Sequence, residues 1–374
     1  MIDILVIAPR YGTIDRGMES FFPQFMSRFD PSRFRFTVLS APHGLPPSDR
    51  IRFVQRPTLR REIGVRLYRI KPLGRLLKLL KFKTETHLES FFLMLASAPY
   101  LLRHSFDIVM PSGGPWTYVF AARLCGARAR IVSLGHAGPS RSELVRSDLF
   151  IAITPADEEE AKRIWHPIAT QVIPSATDVS RFGAAGPRPN RKPKVILCVA
   201  ALEAFKRHDL LFDAAEVLGE MGEDVIVLCH GRGPHKARLM RHPLYLKGKV
   251  RIDESRLPDV ARCYEEADVF SLASPEETFG LVFTEALACG LNVVAHDAPR
   301  QRFVVGESGF FCDVFNRQAY AEALRNALNT GRREQNVAQA KRFDFSAAIP
   351  RYEALFESLA ASAGRPALTA TGGA

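Results

Sequence analysis

Short runs of apolar and β-branched residues recur along the 374-residue chain, and longer segments with helical periodicity lie between them. The short runs are apolar throughout, which is typical of parallel strands that are buried on both faces. Repeated strand–helix units of this kind predict doubly wound α/β sheets. The predicted strands of the first half are Asp3–Ala8, Arg35–Leu39, Asp107–Met110, Arg130–Leu134, Leu149–Ile153 and Gln171–Ile173.

The second half of the chain repeats this organisation. Its predicted strands are Val195–Val199, Asp224–Cys229, Lys249–Ile252, Asp268–Leu272, Asn292–Ala295 and Gly309–Cys312. Helices are predicted at His208–Met221, Leu257–Ala267 and Leu281–Cys289. Because the chain exceeds the usual size of one hydrophobic core, we expect two Rossmann-like domains, with ligands bound at the carboxyl ends of the strands in the cleft between them.

The segment between the two halves is rich in glycine, proline and basic residues. Phe182–Lys194 reads FGAAGPRPNRKPK and has no periodic apolar face, which predicts a linker. We assign residues 1–175 to the first domain and residues 176–344 to the second. Residues 363–374 are small, polar and interrupted by proline, so we predict a flexible tail there.

Composition narrows the class of protein. A hydrophobic fraction of 47% and a charged fraction of 24% are ordinary for a globular protein. The six cysteines form no C-x-x-C pair and lie mostly in apolar runs, which favours buried thiols over metal ligands or disulfides. We find no signal peptide and no apolar run near the roughly 20 residues that span a bilayer, so we expect a cytoplasmic protein.

The net charge of +11 is concentrated in one segment, residues 56–83, which contains ten lysines or arginines and one acid. Four leucines in it share one helical face: Leu73, Leu76, Leu77 and Leu80. Such a helix can lie on an anionic membrane, or it can pack its leucines on the core and leave its charges in water. The pattern favours neither interpretation. Nucleic-acid binding is less favoured, because aromatic residues are sparse there.

Residues that carry chemistry concentrate in Ser274–Asp297, which reads as strand, loop, helix, glycine and strand. Two acids, Glu277 and Glu285, are separated by seven residues, the first in the loop and the second inside the helix. The helix start offers unpaired N–H groups and a positive dipole end, which suit a diphosphate. Carboxylates accept hydrogen bonds from sugar hydroxyls. By spacing alone, two solvated acids that oppose the helix dipole are an equally good interpretation.

This segment resembles the E-x7-E signature of the retaining glycosyltransferases related to glycogen and sucrose synthases, the fourth glycosyltransferase family. Three more segments resemble motifs of that family and occur in the same order: Val172–Phe182, Ala200–Asp209 and Phe343–Leu355. The resemblance implies the GT-B architecture, in which two Rossmann-like doubly wound domains face a central cleft. It also implies a closing helix near residues 345–362 that crosses back onto the first domain, and no bound metal.

The same resemblance implies roles for individual side chains. Glu277 would contact the hydroxyls of the donor sugar, and Glu285 would contact the ribose. Lys206 would neutralise the diphosphate, with Arg207 beside it as a second candidate. His136 follows a strand and would lie near the reacting sugar, although a histidine in that position is more often structural.

Backbone groups are implied as well. The amides that would bind phosphate or sugar oxygens belong to Phe279, Gly280 and Leu281. Gly17 would face the diphosphate from the first domain. The chain departs from the family where an arginine is expected before the lysine, since Ala200 and Ala201 stand there. This departure leaves the class intact but weakens the assignment of particular phosphate contacts.

The resemblance therefore predicts a metal-independent, retaining glycosyltransferase that takes a sugar from a UDP or GDP type donor and needs no cofactor. The acceptor would be a glycan or lipid-linked molecule in cell-surface polysaccharide or glycolipid synthesis. We expect a cytoplasmic enzyme with no nucleic-acid partner. On the membrane interpretation of residues 56–83, an anionic surface would be a further partner and the enzyme would be peripheral on the inner face of the cell membrane. The alternatives are a nucleotide-sugar epimerase and a non-catalytic nucleotide-sugar-binding scaffold at the membrane.

Overall fold

The chain divides into two compact units in a computed structural model. Unit 1 comprises Met1–Pro174 and Ala348–Ala374, and unit 2 comprises Ser175–Ala347. The boundaries lie one and three residues from those assigned from the sequence. The structure describes residues 1–11, 17–42, 50–59, 61–79, 82, 84–126, 128–183, 192–255 and 260–362. The predicted tail therefore lies outside the described residues.

Unit 1 is built on a parallel sheet. Its described strands are β1 (Ile2–Ile7), β2 (Phe34–Ser40), β3 (Arg52–Gln55), β4 (Ile108–Pro111), β5 (Arg130–Leu134), β6 (Leu149–Ala152) and β7 (Ala169–Val172). Its described helices are α1 (Gly17–Met26), α2 (Arg61–Arg69), α3 (Lys71–Leu79), α4 (Glu85–Arg103), α5 (Pro115–Leu124), α6 (Arg141–Leu144) and α7 (Pro155–Ile164). The strand order is β3-β2-β1-β4-β5-β6-β7. β4 and β6 are buried along their whole length, as their apolar sequences predict.

Unit 2 is built on a second parallel sheet. Its described strands are β8 (Lys194–Val199), β9 (Val225–His230), β10 (Val250–Asp253), β11 (Val269–Leu272), β12 (Asn292–His296) and β13 (Phe310–Cys312). Its described helices are α8 (His208–Glu220), α9 (Lys236–Leu239), α10 (Pro243–Leu246), α11 (Ala261–Glu265), α12 (Leu281–Ala288), α13 (Pro299–Val305), α14 (Arg317–Leu328) and α15 (Arg333–Lys341). The strand order is β10-β9-β8-β11-β12-β13. The predicted class, two doubly wound α/β sheets, is confirmed.

The last helix, α16 (Phe345–Ala361), begins in unit 2 and packs mainly on unit 1. Tyr352 makes a perpendicular ring contact with Phe25 of α1 at 4.8 Å between centroids. Arg33 pairs with two acids of α16, Glu353 at 3.0 Å and Glu357 at 2.5 Å. Aromatic packing and charge together hold the end of the chain on unit 1.

The predicted linker does not separate the two units. Phe182 is buried and packs perpendicular to Tyr264, with ring centroids 5.8 Å apart, and both residues belong to unit 2. The chain crosses between the units at Pro174–Ser175. Residues 184–191 lie outside the described part of the chain. The glycine- and proline-rich segment therefore begins inside unit 2, after the break between the units, and its first residue is anchored there as a buried aromatic side chain.

The basic segment forms two helices, α2 and α3, because Pro72 at the second position of α3 cannot continue the preceding helix. Leu76, on the predicted leucine face, is half exposed, so α3 does not bury that whole face. Leu79, which lies off that face, is 79% exposed. Leu80 lies outside the described residues. Among the described helices, none combines the length and the apolar character that crossing a bilayer requires.

Candidate active site

The candidate site lies where the chain of unit 2 switches from one side of its sheet to the other. β8 lies between β9 and β11, so the loops that follow β8 and β11 leave neighbouring strands at the same sheet edge. These loops meet at an ion pair in which Lys206 Nζ lies 2.6 Å from Glu277 Oε2. The two side chains are 16% and 12% exposed. The structure thus brings together the predicted phosphate-binding lysine and the predicted sugar-binding acid.

The loop that carries Lys206 is held against the loop that follows β9. A Cβ atom on Gly231 would lie 1.9 Å from the carbonyl oxygen of Ala200, and one on Gly233 would lie 2.4 Å from that of Leu202. Such contacts are impossible for a side chain, so both positions require glycine. The two backbones therefore pack directly on each other and restrict the path that leads to Lys206.

Arg207 is directed away from the ion pair. Its backbone is left-handed, with φ 51°, where the family motif that it resembles has glycine. This conformation costs a residue with a Cβ roughly 1–2 kcal/mol. Its guanidinium Nε lies 3.2 Å from Asp209 Oδ1, and the group lies 5.3 Å from the ring of Phe315. The role of Arg207 as a second phosphate contact stays a prediction, and it requires the side chain to leave Asp209.

The N-terminus of α12 is open to close approach. Gly280 caps the helix with φ 75°, and a Cβ there would lie 2.6 Å from the Phe283 ring and 3.0 Å from Glu277 Cγ. Phe279 is buried, and its ring packs against that of Phe343. The backbone amide is therefore the group of Phe279 that could bind a ligand. Leu281 begins the helix, where amides lack intrahelical partners and the dipole is positive. This terminus provides anion-binding groups directly beside Glu277.

Glu285 lies on the second turn of α12 and is not a freely solvated acid. The hydroxyl of Tyr264, on α11, donates a hydrogen bond to Glu285 Oε2 at 2.5 Å. Burial raises the pKa of Glu285, while the hydrogen bond from Tyr264 and the charge of Arg181 lower it. This environment disagrees with the solvated interpretation that spacing left open for Glu285. The sequence contained no local signal for Tyr264, which lies 21 residues earlier.

Gln301 is a second residue that sequence reasoning missed. It lies on α13, is 1% exposed, and its amide donates to the carbonyl oxygens of Ser274 and Pro275 at 3.3 Å each. These carbonyls lie in the loop that leads from β11 to Glu277. Gln301 therefore supports the loop that positions the acid, and no spacing rule relates it to that loop.

The remaining predicted residues belong to unit 1. His136 lies in a 3-10 turn, Gly135–Ala137, that directly follows β5, and its ring lies 4.7 Å from that of Phe21. Burial lowers the pKa of His136 to about 4, so the imidazole is neutral at physiological pH. Gly17 is the first residue of α1, and residues 12–16 lie outside the described part.

Unit 1 has its own switch point between β1 and β4, and sequence reasoning missed the residues there. Arg10 follows β1, and its Nε lies 2.9 Å from Glu89 Oε2 of α4. Gly113 and Gly114 follow β4 with φ 89° and 106°. A Cβ on Gly113 would lie 2.8 Å from Pro9, so the two loops touch. The sequence offered one signal for this site, the pair Gly113–Gly114 directly before Pro115, the first residue of α5.

Comparison with known proteins finds a family match within unit 2. Residues 184–343 match the model of the family described as Glycosyl transferases group 1. The D-inositol 3-phosphate glycosyltransferase of Corynebacterium glutamicum is 25% identical over 236 residues, which cover 55% of this chain and 56% of that protein. A Mycobacterium tuberculosis relative is 30% identical over 213 residues, which cover 52% of this chain and 53% of that protein. It is named GDP-mannose-dependent alpha-(1-6)-phosphatidylinositol dimannoside mannosyltransferase.

The chain spans about half the length of these curated relatives. Among solved structures, the sucrose-phosphate synthase of Thermosynechococcus elongatus superposes with a TM-score of 0.72 at 17% identity. The match covers 97% of this chain and 100% of that chain. The predicted GT-B fold is confirmed by this likeness, and the recognition of a glycosyltransferase family in Ser274–Asp297 is confirmed by the family model.

Proposed function

We propose that this chain, which carries a Glycosyl transferases group 1 domain over residues 184–343, transfers a sugar from a nucleotide-diphosphate donor to an acceptor hydroxyl. The observation that carries the proposal is the ion pair between Lys206 and Glu277, at the strand switch point and beside the N-terminus of α12. A cation, free amides and a carboxylate match the diphosphate and the sugar hydroxyls of such a donor. The name of one relative specifies a GDP-sugar donor.

The leaving group is the part of the donor that this site is built to stabilise. As the glycosidic bond breaks, negative charge develops on the diphosphate, and Lys206 together with the first-turn amides of α12 would stabilise it. Glu277 would then accept hydrogen bonds from the sugar hydroxyls. We propose that the sugar transfers with retention and without a metal, and that the departing phosphate removes the proton from the acceptor hydroxyl. Neutral His136 would hydrogen-bond the sugar rather than balance charge.

The acceptor is proposed to bind unit 1 at the switch point between β1 and β4. Arg10, which is held by Glu89, and the glycine pair Gly113–Gly114 provide charge and close backbone approach there. The names of both curated relatives specify inositol-containing acceptors that carry phosphate. We therefore propose a phosphorylated polyol, glycan or lipid-linked acceptor, in the synthesis of a cell-surface polysaccharide or glycolipid.

An anionic membrane surface is proposed as the partner of α2 and α3. Three apolar side chains on this helix pair are exposed by 50% or more: Ile70, Leu76 and Leu79. Four basic side chains beside them are exposed: Arg66, Arg69, Lys71 and Arg75. Exposed leucines interleaved with cations suit the interface of an anionic bilayer. The interpretation in which the helix buries its leucines on the core has less support, because Leu76 of the predicted leucine face is half exposed.

The helix pair is attached to the candidate acceptor end of unit 1. The hydroxyl of Tyr68, on α2, donates to the carbonyl oxygens of Phe82 at 2.7 Å and Thr84 at 2.9 Å. The ring of Phe82 stacks on Trp116, the second residue of α5, at 4.9 Å. Because α5 starts directly after Gly114, membrane contact through α2 and α3 would hold this loop near a lipid-linked acceptor.

The test is a binding and turnover screen. The purified chain is titrated with UDP, GDP, ADP and dTDP by calorimetry, and the matching sugar nucleotides are assayed for release of free nucleotide. We expect one base to bind and the matching sugar nucleotide to be consumed in the presence of an acceptor. Binding without turnover on any acceptor would favour the scaffold. Absence of nucleoside diphosphate binding would overturn the proposal.

A further inference from the structure

Tyr264 is a fully buried residue whose single polar group reaches the candidate site. Its side chain is 0% exposed and packs against the rings of Phe182 and Phe270, each with a centroid separation of 5.8 Å. Its hydroxyl donates to Glu285 Oε2 at 2.5 Å. A buried tyrosine hydroxyl normally finds a partner, and here the partner is a carboxylate of the proposed donor site.

We infer that Tyr264 is a positioning residue that holds the ionised Glu285 carboxylate ready to accept the ribose hydroxyls of the nucleotide donor. The inference rests on the proposed function, since it assumes a nucleotide beside α12. Tyr264 would not touch the donor itself. Its contribution to nucleotide binding would be made through Glu285.

The geometry of the hydrogen bond supports this role. A glutamate side chain has three rotatable bonds, and binding one oxygen to a fixed hydroxyl restricts all of them. The ring of Tyr264 cannot move easily, because Phe182 and Phe270 pack against it. Only Oε2 of Glu285 is engaged by Tyr264, so Oε1 keeps its lone pairs for a ligand.

The charge state of Glu285 depends on the same contact. Burial raises its pKa, and the hydrogen bond from Tyr264 and the charge of Arg181 oppose that rise. Among described residues, the thiols of Cys263 and Cys289 lie near Tyr264, and Arg333 of α15 lies against Gly290 beyond the end of α12. Arg181 is therefore the cation that would remain if the hydroxyl were removed.

Removing the hydroxyl would make nucleotide binding depend on pH. Without Tyr264 Oη, the pKa of Glu285 rises further, and a larger share of the carboxyl is protonated as the pH falls. A protonated acid loses the charge-assisted hydrogen bond to a ribose hydroxyl, so affinity is lost at low pH and recovers as the pH rises through the raised pKa.

The experiment measures the dissociation constant of the nucleoside diphosphate that the wild-type protein binds, by calorimetry between about pH 5.5 and pH 8.5. Tyr264→Phe is expected to bind about tenfold more weakly at the acid end, the factor typical of a lost hydrogen bond to a charged group. At the alkaline end the loss should be smaller but still present, because Glu285 is then ionised but no longer held by Tyr264. The matched control is Tyr320→Phe, whose hydroxyl is equally buried but bonds Ser271 Oγ at 2.6 Å. It should follow the wild-type pH profile.

A second variant keeps the inference testable if Tyr264→Phe folds poorly. Glu285→Gln keeps an oxygen that accepts from Tyr264 but cannot titrate. Its affinity should therefore be lower, and adding Tyr264→Phe to it should cause no further loss at the acid end. Affinity of Tyr264→Phe that matches the wild type at every pH overturns the inference while the proposed function stands. A wild-type protein that binds no nucleoside diphosphate overturns both.

Discussion

The two units share one strand order but differ in the chemistry at the point where that order switches. β1 lies between β2 and β4 in unit 1, and β8 lies between β9 and β11 in unit 2. Unit 2 places Lys206 of the β8 loop beside Glu277 of the β11 loop, whereas unit 1 pairs Arg10 of the β1 loop with Glu89 of a helix. The fold thus determines where a ligand can bind, and the loops determine which ligand.

The helices that follow the switch strands show the same contrast. α5 after β4 and α12 after β11 each begin after a glycine with positive φ, Gly114 and Gly280. In α5 the first residue is Pro115, which has no N–H, while α12 begins with Leu281, which has one. At the first helical position, unit 2 therefore offers an amide to a diphosphate where unit 1 offers none.

The largest effect should come from breaking the ion pair of unit 2. Lys206→Ala is expected to lower turnover by about 10²- to 10³-fold, because the charge that develops on the leaving diphosphate loses its cation. Nucleotide release from the donor measures this loss. Lys194→Ala is the matched control, since Lys194 also pairs with an acid of unit 2, Asp268, at 3.5 Å, but is the first residue of β8, at the opposite end of that strand from the Lys206 loop. Wild-type turnover by Lys206→Ala would contradict the site.

A second substitution tests whether the N-terminus of α12 requires a glycine at its cap. Gly280→Ala should destabilise the protein by about 1–3 kcal/mol, because its Cβ would meet Phe283 at 2.6 Å at a strained φ, and should also weaken nucleotide binding. Gly222→Ala has a similar φ, 89°, with nothing within 4 Å of its Cβ. We expect it to cost about 1 kcal/mol and to leave binding unchanged. Urea unfolding and calorimetry measure both effects, and equal effects of the two variants would refute the close-approach argument.

In unit 1, replacing the arginine at the switch point should weaken binding of the acceptor and leave binding of the donor unchanged. Arg10→Ala is expected to raise the acceptor KM about tenfold, the loss typical of one charged hydrogen bond, and to leave nucleotide affinity unchanged. Steady-state kinetics with both substrates varied will measure this. Arg35→Ala, which breaks the pair with Asp3 at the start of β1, is the control in the same unit. If Arg10→Ala instead lowers the donor affinity and leaves the acceptor KM unchanged, unit 1 binds the donor, and the roles proposed for the two units are wrong.

Much of the fold could be predicted because buried parallel strands have continuous apolar sequences. All twelve predicted strands are present, with small differences at their ends. The sequence pattern missed β3, Arg52–Gln55, an edge strand of four residues in which only Val54 is buried. An edge strand keeps exposed polar positions, so it resembles a loop in sequence.

Only part of the candidate site could be predicted from the sequence. Lys206 and Glu277 lie in recognisable motifs, and the structure places them in contact. Tyr264 and Gln301 lie in segments with no motif, and each reaches the site across at least 20 residues of chain. Such contacts depend on how helices pack on the sheet, which no local spacing encodes.

The membrane hypothesis follows from a last difference between the two units. The crossover from β3 to β4 in unit 1 contains α2 and α3 as well as α4, whereas α11 is the helix described in the equivalent crossover from β10 to β11. If this extra helix pair is a membrane contact, Arg75→Ser should weaken sedimentation with anionic vesicles about fivefold, since each basic residue contributes about 1 kcal/mol near the surface. The control is Arg123→Ser, an exposed arginine on α5 of the same unit. Binding of Arg75→Ser that equals wild type, or that is unaffected by salt, would mean that the helix pair has another partner.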